Sequence, residues 1–126
     1  SGVPNLVSTF GYINASWTLR ADLTSAYVCR LLNFMDEGGY RHFTPELRDQ
    51  DKAMQEQLWI TGFSPGYMTR ALDQMPRQGD REHWNNPQDY KKDKKMFLDG
   101  EIDDGALMFG TEPAASVVED DFREAG

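Results

Sequence analysis

The sequence is poor in several things whose absence narrows its class. It has one cysteine, Cys29, so no disulfide can form within the chain, and a lone thiol suits a reducing compartment. No apolar run approaches the roughly 18 residues needed to span a bilayer, and no secretory leader pattern is present. A soluble, cytoplasmic setting is therefore expected. Net basic character is also missing. Residues 1–45 carry three acids and three bases, residues 46–97 nine of each, and residues 98–126 nine acids and one base. The formal charge of -8 thus sits entirely in the last stretch, and no segment offers phosphates a basic face, which argues against a nucleic-acid partner.

Signals for common hydrolytic and metal chemistry are equally scarce. The two histidines, His42 and His83, stand far apart without cysteines or carboxylates at ligand spacing. No Gly-x-Ser-x-Gly elbow occurs. Asp103 and Asp104 have no evident base beside them and read as solvated surface. Lys91-Lys92-Asp93-Lys94-Lys95 alternates sign with neighbouring acids, so it reads as the solvent side of a helix, Asp93 included. Cys29 is expected on an inward helix face as an inert thiol.

What is present suggests a modest α/β core with many loops, given an apolar share of 39% and 11 glycines with 6 prolines. Residues 5–10 favour a strand through Leu6, Val7, Thr9 and Phe10, and Gly11 ends it. A helix over 16–35 follows, capped by Ser16 or Thr18, with Asp22 near its positive end. Its buried stripe runs through Leu23, Tyr27, Leu31 and Phe34, widened by Val28, Leu32 and Met35, and Gly38-Gly39 stops it. Tyr40–Thr44 reads as a short strand; paired in parallel with 5–10 it would complete β-α-β. The pattern in 46–57 decides nothing. Leu58, Trp59, Ile60 and Phe63 form an apolar anchor ahead of a helix over 65–75 begun by Ser64-Pro65. Asn86-Pro87 starts another helix, ending at Asp99-Gly100, and Ala106–Phe109 reads as a last strand. The acidic stretch 110–126 lacks periodicity and is expected to be disordered.

The opening stretch concentrates the chemistry. After Gly11, Asn14 and Ser16 can bond backbone or ligand, and the helix start presents free N–H groups with about half a unit of positive charge. Such an end stabilises a developing anion. Strand-glycine-helix alone does not separate a ligand site from an ordinary β-α turn.

Order and identity of residues add a resemblance. Gly2-Val-Pro-Asn-Leu6, Phe10-Gly-Tyr-Ile-Asn-Ala-Ser-Trp-Thr-Leu19, Ala21-Asp-Leu-Thr24 and Tyr27-Val-Cys-Arg-Leu-Leu-Asn33 resemble the C-terminal portion of bacterial flavin-containing monooxygenases of the Baeyer–Villiger type. Gly66-Tyr67, Arg70-Ala-Leu-Asp73, Pro76-Arg-Gln-Gly79, Trp84 and Tyr90 are similar to that family's terminal extension. The resemblance implies the last strand and helix of a Rossmann-type FAD-binding domain in 1–44, and a mainly helical extension with short strands in 45–109. It implies FAD and NADPH in the complete enzyme, and transfer of one oxygen atom from O2 to a small carbonyl or heteroatom substrate. By the same resemblance Gly11, Tyr12, Asn14, Ala15, Ser16 and Trp17 lie beside the flavin.

Both Gly-x-Gly-x-x-Gly fingerprints of that family are missing here, and after Trp84 the chain reads Asn85-Asn-Pro-Gln-Asp89 where the family has a basic residue and an asparagine. The expectation is a segment that neither holds FAD nor turns over alone, completed by the remainder of the monooxygenase. The alternative is a stand-alone helical interaction module with an acidic tail. A fragment should leave Leu6–Phe10 without sheet neighbours, its apolar surface covered by a homo-oligomer or by rearrangement; a module should have a closed core.

Overall fold

A computed structural model describes residues 1–59 and 66–112, and its longest element is helix α1, Trp17–Gly38. Ser16 occupies the N-cap position, but its hydroxyl shares a 2.9 Å hydrogen bond with that of Thr18 and caps no backbone N–H. Asp22 lies beyond the first turn, which carries no acid. The expected glycine stop forms at Gly39, left-handed at φ 69°, where the Tyr40 N–H reaches back to the Met35 carbonyl at 2.8 Å. Leu23, Leu31 and Met35 are buried as the apolar spacing requires, while Leu32 is exposed. Cys29 is exposed too, contrary to expectation. At 3.6 residues per turn it stands about 200° round the helix from Leu31.

Strand β1, His42–Pro45, does not pair in parallel with residues 5–10. It pairs antiparallel with residues 107–110, with Phe43 opposite Phe109. Residues 5–10 form no strand. Only the first of them lies on the outer edge of β1: Asn5 bonds both backbone groups of Phe43, through its N–H at 2.9 Å and its side-chain oxygen at 3.0 Å. Asn5 itself turns at φ 54°, and the chain then leaves the edge. Leu6 and Val7 are 61% and 44% exposed.

The undecided stretch contains a 3-10 turn, Asp49–Asp51, followed by β2, Gln57–Leu58. Helix α2, Gly66–Ala71, continues into a 3-10 turn at Leu72–Gln74, and β3, Arg77–Gln78, pairs antiparallel with β2. Ile60 and Phe63 of the expected anchor, the Ser64-Pro65 start and residues 113–126 lie outside the described residues. Helix α3, Tyr90–Asp99, starts later than Asn86-Pro87 would place it. Gln88 adopts a left-handed φ of 53°, which breaks the helix path, so Asp89 becomes the cap and accepts from the Lys91 and Lys92 N–H groups at 3.0 and 3.2 Å. Strand β4, Leu107–Gly110, closes the described fold.

α1 and α3 pack together, and Arg30 of α1 donates to the Phe97 and Gly100 carbonyls, both at 2.5 Å, placing a cation on the negative end of α3. The core joins Leu31 and Met35 to Phe43 and Ile102, bordered by Phe34, Tyr40 and Phe109 with ring centroids 5.0–6.0 Å apart. A fully buried leucine such as Leu31 contributes about 1.5–3 kcal/mol. This core draws on both sides of the boundary expected at residue 44. The architecture is a mixture of helices with two small antiparallel sheets; no parallel ladder, and so no β-α-β unit, occurs among the described residues.

Candidate functional site

The loop before α1 is held at its base and open at its tip. Gly11 and Tyr12 are buried, Ile13 is half-buried, and Asn14, Ala15, Ser16 and Trp17 are exposed. Close approach accounts for the glycine at residue 11. The Trp17 ring lies where a Cβ at residue 11 would stand, and Gly11 is not among the positive-φ glycines.

Three groups fix Tyr12. Its hydroxyl donates to Asp93 Oδ2 at 2.6 Å, its ring meets Tyr90 edge-on at 6.3 Å, and the Arg20 guanidinium lies 5.8 Å from its ring centre. Arg20 Nε also stands 3.4 Å from Asp93 Oδ2, and Arg20 donates to the Phe10 carbonyl at 3.4 Å. Burial, and then the bond to Asp93, push the Tyr12 phenol well above its ordinary range, so it is neutral at any physiological pH. Asp93 is fully buried; its Oδ1 has no hydrogen-bond partner among the described residues. With Asn85, Pro87 and Lys92 it lines a cavity of about 290 Å³.

Gln88 holds the neighbouring backbone. Its side-chain Oε1 accepts from the Ile13 N–H at 2.8 Å, its Nε2 donates to the Gly11 carbonyl at 3.5 Å and to Asn86 Oδ1 at 3.1 Å, and its carbonyl accepts from Asn14 Nδ2 at 3.3 Å. Residues 86–93, read from sequence as helix start and solvated face, thus form the far wall of the opening loop. Asp93 is the correction of most consequence. Tyr90, Asp93 and Phe97 follow helical spacing of three and four, which sets Asp93 on the apolar side of α3. That spacing could have found it, but the flanking lysines drew the reading outward.

A second buried carboxylate, Asp51, receives Arg48 Nε at 2.6 Å, Arg48 Nη2 at 3.1 Å and Trp84 Nε1 at 3.0 Å. The bidentate Arg48 contact, aided by Trp84, holds its carboxyl down at about 2 against the burial that opposes it. Asp104 also has a base after all: His83 Nε2 stands 2.6 Å from its Oδ2. No cluster of three His, Cys, Asp or Glu suited to a metal occurs among the described residues, and no described helix is long and apolar enough to cross a membrane.

Comparison with known proteins finds relatives of this sequence. The chain is 46% identical over 114 residues to the FAD-containing monooxygenase EthA of Mycobacterium tuberculosis, a match covering 90% of this chain and 23% of that protein. It is 43% identical over 115 residues to EthA of Mycolicibacterium smegmatis, covering 91% and 23%. Against the protein named "Probable FAD-binding monooxygenase AlmA" of Acinetobacter baylyi the identity is 42% over 109 residues, covering 86% and 22%. The resemblance to the C-terminal portion of bacterial flavin-containing monooxygenases is thereby shown. The chain spans about a quarter of the length of the curated relatives it matches. No family model matches it, and no solved structure does.

Proposed function

We propose that this chain is part of an FAD- and NADPH-dependent monooxygenase that inserts one oxygen atom of O2 beside a carbonyl or adds it to a heteroatom of a small organic substrate. In this reading residues 1–44 end a Rossmann-type FAD-binding domain, and Gly11, Tyr12, Asn14, Ala15, Ser16 and Trp17 line the flavin. The observation that carries it is the match over nine-tenths of this chain to proteins named for FAD and monooxygenation.

The residues present fit a flavin. The start of α1 has no side-chain cap from Ser16 and no acid in its first turn, so nothing there opposes an electron-rich ring edge. Asn14–Trp17 are exposed and able to meet a partner. Bound FAD, reduced by NADPH, would supply the two electrons that split O2 between substrate and water. This chain's own part is to bind and orient. The helix start offers backbone N–H groups to negative charge on the ring, and Tyr12 and Gln88 hold the loop beneath them. The chain is expected to be inactive alone and to act in the cytoplasm. Leu6 and Val7, exposed and without strand partners, suit a segment completed by other chain better than a closed module.

The test pairs two preparations. The longer protein carrying this segment is expected to purify with one FAD and to consume O2 and NADPH together. The 126-residue chain, titrated with FAD and NADPH, is expected to show no tight binding. A longer protein without flavin would overturn the function. A shifted flavin band in the isolated chain would overturn its dependence on the remainder.

A further inference from the structure

We infer that Gln88 is a positioning residue whose side-chain amide sets where the start of α1 stands against the flavin. The inference rests on the flavin-facing reading of residues 11–17. Gln88 lies 75 residues beyond the loop, yet its amide meets both a donor and an acceptor of the loop backbone, the Ile13 N–H and the Gly11 carbonyl. That is the pairing a neighbouring strand would give, supplied by one side chain to a segment that has no ladder of its own.

Its conformation points the same way. Gln88 adopts φ 53°, which residues with a Cβ rarely occupy and which persists only where surrounding contacts enforce it. Asn86 Oδ1 holds the amide at 3.1 Å and the Gln88 carbonyl takes the side chain of Asn14, so amide and loop are each tied three times. Without Gln88, the Ile13 N–H has no other protein acceptor among the described residues. Tyr12, between the two bonded groups, is anchored separately on Asp93. The loop is therefore fixed from below while residues 14–17 stay open above it, as a preorganised contact with a ligand requires. Glutamine fits this role because one amide presents a donor and an acceptor together.

The experiment uses the longer protein that carries this segment, with FAD as the probe. Gln88→Leu removes every side-chain hydrogen bond; Gln88→Glu keeps an acceptor for Ile13 and loses the donor to Gly11. In Gln88→Leu, hydrogen exchange at Ile13 should quicken about tenfold while amides in the middle of α1 keep their protection. The flavin absorption band should shift and FAD affinity should weaken about tenfold. Gln88→Glu should keep Ile13 protected and shift the band less.

Unchanged exchange at Ile13 in Gln88→Leu would overturn the clamp. Faster exchange with a wild-type band and affinity would overturn its link to the flavin. If Gln88→Leu loses protection throughout and so fails to fold, Gln88→Glu decides: a wild-type band there overturns the inference, a shifted one supports it. Failure of the parent reading shows elsewhere, since the unsubstituted protein would then bind no FAD, and this inference falls with it.

Discussion

Two aspartates are completely buried among the described residues, Asp51 and Asp93, and they do opposite work. Asp51 is satisfied locally: Arg48, three residues before it, supplies two hydrogen bonds, and Trp84 supplies a third. Asp93 is tied only at long range, to Tyr12 81 residues away and to Arg20, and one of its oxygens has no protein partner among the described residues. A carboxylate matched by a bidentate arginine can form with its own turn. One matched by a phenol and a guanidinium from other elements forms only when those elements are assembled. Asp51 is a local staple; Asp93 reports whether α3 and the opening loop are docked.

The largest effect that sharpens this contrast is expected from Asp93→Ala. It strands the Arg20 guanidinium, only 13% exposed, and the buried Tyr12 hydroxyl together. Breaking a buried ion pair from one side costs about 3–5 kcal/mol, to be read from the denaturant midpoint. A loss under about 1 kcal/mol, the scale of an exposed pair, would show that Asp93 ties nothing together.

Tyr12→Phe comes next, with an expected loss of about 1–3 kcal/mol, because it removes one donor and leaves Asp93 to Arg20 alone. It also carries a pH signature. The Tyr12 phenol lies above its ordinary value of 10.0, mainly through burial and then through Asp93. The folded protein therefore holds that proton more tightly than the unfolded chain. Its contribution is full below pH 10 and declines as the pH rises above it. Tyr12→Phe should shallow the alkaline fall in melting temperature. Tyr27, raised chiefly by its own burial, keeps a remainder of that fall in the variant.

The same contrast explains what the sequence made legible. α1, its glycine stop and most of its buried stripe follow from apolar spacing and one left-handed glycine, which are local properties. Strand β4 was visible for the same reason, and so was the Gly100 end of α3. The partner of β1 was not: antiparallel pairing with residues 107–110 is a choice among edges, and the Asn5 side chain, not a strand, took the other edge. Of the candidate site, the loop and its glycine were readable from residue order. Its far wall was not, because Gln88 acts through a left-handed backbone and Asp93 sits among four exposed lysines whose charge pattern outweighed its spacing.

On the Asp51 side the effects should be smaller and confined to acid. Its carboxyl stands at about 2 against an ordinary 3.8, so the folded state favours the ionised form. Its contribution is complete above pH 3.8 and is lost as the pH falls toward 2. Melting temperature followed through that window should fall in the unsubstituted protein and fall less in Asp51→Asn. A flat profile in the unsubstituted protein would mean that Arg48 does not hold the carboxylate as the 2.6 Å contact indicates.

Trp84→Phe should have the smallest effect of all. It deletes the indole N–H that reaches Asp51 at 3.0 Å and keeps an aromatic ring, while both Arg48 bonds stay in place. Arg48 is the chief cause of the lowered carboxyl and Trp84 only an assistant, so the acid midpoint should move up, but by less than Asp51→Asn moves the curve. An equal displacement by the two substitutions would make the indole, 33 residues away, the true partner of Asp51. The distinction between a carboxylate matched by its own turn and one matched across the fold would then fail, since both would depend on distant elements being docked.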